Sequence, residues 1–174
     1  FRFVGPVMNR PSELKFDWKK FRSARFPKIL ISMGTTGRGE RQLFFKKMVS
    51  AFSGKPFTIV AVAEDNLLPF WPENFIVQPY VPQLALMKEL DFIVCHGGHN
   101  TVCEAIAHEV PLAVIPRAYD QFRVAAQVVN SGCGIKLKYN RFKAEQLSNT
   151  INEILTKKSH QSSLHRIRES FIKA

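Results

Sequence analysis

Long apolar runs are missing from this 174-residue chain, and none approaches the roughly 20 residues a membrane-spanning helix requires. The segment Phe1 to Arg25 is too charged to serve as a signal peptide. Cysteine is scarce. Three residues cannot close a disulfide framework, and Cys95, Cys103 and Cys133 sit in apolar or glycine-flanked segments, as buried free thiols do. A reducing, cytoplasmic compartment is therefore expected. Paired zinc-type ligands are also absent: Cys95, His96, His99 and Cys103 cluster in sequence, but neighbours on a strand point to opposite faces and no second ligand pair follows, so no metal is expected. The glycines Gly34, Gly37 and Gly39 follow an apolar run but spell G-x-x-G-x-G rather than G-x-G-x-x-G. The acids Glu64 and Asp65 come later than the roughly 20 residues a dinucleotide fold uses, which argues against a nicotinamide module.

Acids are outnumbered as well, 14 against 25 basic residues, for a formal charge of +11. Such a balance suits nucleic acid, an anionic membrane or an anionic nucleotide ligand. The basic residues are spread along the chain, with local clusters at Lys15 to Arg25, at Lys136, Lys138, Arg141 and Lys143, and from Lys157 to Lys173. They read as solvated faces, and no nucleic-acid partner is expected.

What is present is a 45% hydrophobic composition, enough for one domain with a proper core. Apolar β-branched runs alternate with helical spacing. Strands are expected at Lys28 to Met33, Thr58 to Val62, Phe75 to Val77, Asp91 to Cys95, Leu112 to Ile115 and Gly134 to Leu137. Helices are expected from about Glu40 to Phe52, after Pro82, after Gly98, over Gln121 to Asn130, around Leu147, Ile151, Ile154 and Leu155, and over Lys157 to Lys173. Phe1 to Phe26 shows no clean period and reads as an entry segment packing across the domain. This order predicts an α/β fold, a Rossmann-like parallel sheet flanked by helices, with ligands at the carboxyl ends of the strands.

The stretch His96-Gly97-Gly98-His99-Asn100-Thr101-Val102-Cys103-Glu104 carries the chemistry. A buried strand turns through paired glycines into a helix, whose free N–H groups and dipole favour an anion while the glycines admit it close to the main chain. An imidazole at His96, the polar side chains of Asn100 and Thr101, and a carboxylate one turn on at Glu104 suit a nucleotide diphosphate with its ribose.

Tyr80-Val81-Pro82-Gln83, then His96-Gly97-Gly98-x-Asn100-Thr101 with Glu104, then Val110-Pro111, Pro116 and Asp120-Gln121 together resemble the signature of nucleotide-sugar-dependent glycosyltransferases of the macrolide, plant secondary-metabolite and UDP-glucuronosyl type. Phe3 to Pro6, Ile31 to Thr35 and Gly132 to Gly134 extend the resemblance over nearly the whole chain. It implies a GT-B enzyme, in which two Rossmann-like lobes face across a cleft. Residues 1–174 would be the C-terminal, donor-binding lobe, and the N-terminal lobe, with the acceptor site and catalytic base, would be absent.

Several roles are implied by that resemblance. His96 would bond a phosphate oxygen and stabilise the leaving nucleotide, so that this half holds no further catalytic group and needs no metal or cofactor. Gly98, Asn100 and Thr101 would hold the diphosphate, with Thr35 facing it from the first loop. Glu104 would accept from the ribose hydroxyls. Tyr80 stands where many relatives have a base-stacking Trp, beside Val81 and Gln83, which leaves the base open. Asp120 and Gln121 would contact sugar hydroxyls, although Asp120 also suits a helix N-cap. The expected donor is a UDP- or dTDP-hexose and the acceptor a small molecule or lipid hydroxyl, with transfer by inversion in the complete enzyme and none by this half alone. The other reading left open is a non-catalytic donor-binding subunit of a two-chain glycosyltransferase.

Overall fold

The computed structural model describes residues 6, 14–24, 27–34 and 38–173. The expected contributions of Phe3 to Gly5 and of Thr35 lie outside these residues.

Six strands form one sheet: β1 (Lys28–Ser32), β2 (Thr58–Val62), β3 (Phe75–Gln78), β4 (Phe92–Cys95), β5 (Leu112–Val114) and β6 (Gly134–Lys136). Every pairing is parallel and the order is β3-β2-β1-β4-β5-β6. Both faces of the sheet are covered, which is why the strands read as apolar runs without alternation. Ile29 and Ile31 enter the core on one side and Leu30 the core on the other, as the two-residue period of a strand requires.

The helices are α1 (Trp18–Ser23), α2 (Arg38–Phe52), α3 (Gln83–Met87), α4 (His99–Ala107), α5 (Gln121–Asn130), α6 (Ala144–Lys157) and α7 (Gln161–Lys173). Helices α2 and α6 pack together over one face, joining Phe44, Phe45 and Phe52 to Leu147, Ile151 and Ile154. On the other face α4, α5 and α7 enclose Val102, Ile106, Val124, Val128 and Leu164.

Three local features differ from the sequence reading. The entry segment contains a helix, α1, capped by Asp17 Oδ1, which accepts from the Lys20 N–H at 2.8 Å. Phe16, Trp18 and Phe21 pack edge to face around it, so aromatic clustering rather than apolar period stabilises this piece. A single 3-10 turn at Asp65–Leu67 follows β2. The helix expected to start at Lys157 begins instead at Gln161. Lys158 adopts φ 47°, ending α6, and His160 Nδ1 donates to the Gly132 carbonyl at 2.7 Å, anchoring the new turn.

Candidate donor site

The strand order reverses between β1 and β4, and the carboxyl ends of these two strands mark the switch point where doubly wound sheets bind ligands. Ser32 and Cys95 end these strands as paired neighbours. Beyond Cys95 the chain passes His96, turns at Gly97 with φ 93°, and enters α4 with Gly98 at the N-cap. Only a glycine suits Gly97. Its φ is positive, and a Cβ there would stand 2.7 Å from Val114 Cγ1. The first helical bond runs from the Val102 N–H to the Gly98 carbonyl at 3.1 Å. The N–H groups of His99, Asn100 and Thr101 lie ahead of it, at the positive end of the helix dipole.

The imidazole of His96 fits between two glycines. A Cβ at Gly34, the residue two beyond β1, would come within 2.8 Å of His96 Cε1, and one at Gly98 within 3.0 Å of Nε2. The ring thus closes over the switch point because both flanking residues lack side chains. Burial lowers its pKa below the ordinary histidine value, while the Ser32 carbonyl and the Asp120 charge pull the other way. Its Nδ1 is buried without a hydrogen-bond partner among the described residues. A neutral ring with one N–H can donate to a phosphate oxygen.

A second polar group lies one helical turn along. Glu104 is only 5% exposed. Gln83 Nε2 donates to Glu104 Oε2 at 2.6 Å and to Thr101 Oγ1 at 3.3 Å. The amide therefore joins the start of α3 to α4 and holds the carboxylate that the resemblance assigns to the ribose. Tyr80 is 75% exposed beside this knot, and its open ring face is available for stacking. Val81 is half-buried and packs on the second core cluster, so it positions the loop.

Asp120 and Gln121 behave differently from each other. Asp120 holds the N-cap position of α5 but makes no capping bond, leaving an exposed carboxylate. Gln121 Oε1 accepts from the backbone N–H groups of Arg117 at 2.9 Å and Ala118 at 3.2 Å, so its amide oxygen shapes the loop after β5 and its Nε2 is left to donate. Tyr119 precedes the pair with φ 52°, a strained conformation for an aromatic residue.

The structure thus gathers His96, Gly98, Asn100, Thr101, Glu104, Gln83, Asp120 and Gln121 at the carboxyl edge, with Tyr80 at the margin. Two residues go beyond the expected set. Gly34 seats His96, and the available signal was a glycine just past the apolar run of β1. Arg117 leaves no sequence signal, because only the tertiary fold brings it to Glu40 at the start of α2. Among the described residues no group of three His, Cys, Asp or Glu side chains is arranged to hold a metal, and no helix is long and apolar enough to cross a membrane.

A parallel sheet with a glycine-lined helix N-terminus and an imidazole at its switch point places the chain in the class of doubly wound, Rossmann-like α/β domains, whose carboxyl edge suits an anionic ligand. Comparison with known proteins makes that class specific. The family model for the glycosyltransferase family 28 C-terminal domain matches residues 44–173, and the chain belongs to this family. It is 35% identical over 172 residues to the uncharacterized UDP-glucosyltransferase YojK of Bacillus subtilis (strain 168), across 97% of this chain and 42% of that protein. It is 32% identical over 170 residues to demethyllactenocin mycarosyltransferase of Streptomyces fradiae, across 95% of this chain and 36% of that protein. The chain therefore spans about two-fifths of these relatives. Among solved structures, the glycosyltransferase of kitacinnamycin superposes with TM-score 0.84 at 26% identity, covering 98% of this chain and 45% of that one. The calicheamicin glycosyltransferase CalG4 superposes with TM-score 0.80 at 21% identity, over 98% of this chain and 43% of that one, a likeness of fold alone. The sheet is that of one GT-B lobe.

Proposed function

We propose that residues 1–174 form the donor-binding domain of an inverting glycosyltransferase that moves a hexose from a UDP- or dTDP-sugar to a hydroxyl on a small molecule or lipid. The observation that carries this reading is the seat of His96 between Gly34 and Gly98, beside the free amides of α4. As the anomeric bond breaks, negative charge builds on the leaving nucleoside diphosphate. Donors already aimed at that charge stabilise it more than they stabilise the bound substrate. Asn100, Thr101 and the α4 amides would hold the pyrophosphate, Glu104 the ribose, Tyr80 the base, and Asp120 with the Gln121 Nε2 the sugar. The name of the 35% identical YojK, a UDP-glucosyltransferase, supports a pyrimidine nucleotide. Three buried free thiols suit the cytoplasm.

With the acceptor site and base on a second lobe, this lobe binds nucleotide without turning over. The test is thermal unfolding with added nucleotide. A ligand at about 100 times its Kd adds about 2.7 kcal/mol, and for a chain of this size each kcal/mol moves Tm by about 2–4 °C. UDP or dTDP is expected to raise Tm. In His96→Ala the loss of one hydrogen bond to a charged group, about 1.5–3 kcal/mol, abolishes most of the shift. A larger shift with NAD, or equal UDP shifts in both proteins, rejects the assignment.

A further inference from the structure

A second cavity, of about 480 Å³, opens on the same carboxyl edge, between the loops after β5 and β6 and the start of α2. Four of the side chains that line it are cations, Arg117, Lys136, Lys138 and Arg141, against the single carboxylate of Glu40. The Arg117 guanidinium is held from two directions. Its Nη2 pairs with Glu40, and its Cζ lies 4.2 Å from the centroid of Tyr139. Its Nη1 is buried without a hydrogen-bond partner among the described residues. Lys136 Nζ stands 5.5 Å from the Phe122 centroid. Lys138 and Arg141 are exposed; their backbones bond each other, the Arg141 N–H donating to the Lys138 carbonyl at 2.9 Å, while neither charged side-chain end forms a hydrogen bond or ion pair among the described residues.

Like charges gathered in one cavity repel unless an anion joins them, and a guanidinium fixed by stacking offers an oxyanion a rigid donor fork at little entropic cost. Gln121 ties this cavity to the donor site. Its Oε1 fixes the Arg117 and Ala118 amides, and its backbone packs so close to Gly97 that a Cβ there would lie 3.4 Å from the Gln121 carbonyl. The cationic cavity thus begins where the donor's sugar would end.

We infer that Arg117, Lys136, Lys138 and Arg141 form an anion subsite that takes a carboxylate or phosphate carried on a sugar, either the donor's own sugar or a molecule bound beside it. Its place next to the sugar rests on the donor-site reading above; its preference for an oxyanion does not. Two pairs of probes separate the sources in calorimetric titrations of the full chain at matched ionic strength. UDP-glucuronate against UDP-glucose puts the charge on the donor, while glucose 6-phosphate against glucose, with and without UDP, puts it on a neighbour. The anionic member of one pair is expected to bind about fivefold tighter, the scale of two exposed charge contacts. Lys138→Gln with Arg141→Gln is expected to erase that preference and leave UDP binding unchanged. Binding within about twofold for both pairs overturns the inference, as does a preference that survives in the double variant and in Arg117→Gln. Tight UDP binding with no anion preference removes the subsite and keeps the donor site. Absent UDP binding removes the donor site, while the glucose 6-phosphate arm without UDP still decides the subsite.

Discussion

His96 is where the residue scale matters most, because burial acts on it against hydrogen bonding and charge. Burial lowers its pKa below the unfolded value near 6.5, so the folded chain holds the ring neutral where an unfolded chain would take up a proton. The stability that this neutrality allows is complete above about pH 6.5 and is lost as pH falls from there through the folded value. The imidazole is expected to titrate below 6.5 by NMR in the free chain and to move upward when UDP binds, since a phosphate favours the charged ring. Denaturation midpoints should fall as the pH drops below about 6.5, and less so in His96→Gln. A free-chain pKa at or above 6.5 contradicts this account. Gln83 acts through hydrogen bonding alone: without its 2.6 Å donor, Glu104 would be a buried acceptor with its main partner gone.

At the scale of elements, α7 shows how one buried side chain fixes a terminal helix. Leu164 is fully buried between α7 and the second core cluster, whereas Ile172, two turns on, is 64% exposed. Leu164→Ala removes a packed side chain and leaves a cavity, which typically costs about 2–5 kcal/mol. Ile172→Ala, with little buried area, is expected to stay within about 0.5 kcal/mol of the parent. Urea denaturation of the two variants separates them, and equal effects would show that α7 is not held through Leu164. Helix α7 also packs on α4, the helix whose first turn carries the proposed anion contacts, and so braces it from the far side.

The whole molecule has one rigid middle and one working edge. The central strands β1 and β4 are flanked on both sides and buried on both faces, so their amides should exchange slowest with solvent. Gly34, just past β1, and the loops after β4 and β5 meet at one edge. Hydrogen exchange with and without UDP is expected to show new protection confined to residues 80–83, 96–104 and 117–121. The cavity of about 750 Å³ at the opposite edge, lined by Lys20, Lys55 and Phe70, should be unaffected. Protection there instead would move the nucleotide to the other end of the sheet. The net charge of +11 reads differently at this scale too, since part of it is concentrated in the cavity around Arg117.

The alternation of strands and helices, the glycine turn at Gly97 and Gly98 and the helix that follows are determined by the sequence alone, because they depend on apolar period and glycine conformation over a few neighbouring residues. Helix α1 escaped that reading because its aromatic packing has no period, and the break at Lys158 escaped it because His160 is anchored to the distant Gly132. Only the tertiary structure decided that Gly34 seats His96, that Gln83 holds Glu104, that Gln121 spends its oxygen on a loop, and that Arg117 meets Glu40. Each of these joins residues brought together by the order of strands in the sheet, and strand order is a property of the packed chain that no local stretch of residues encodes.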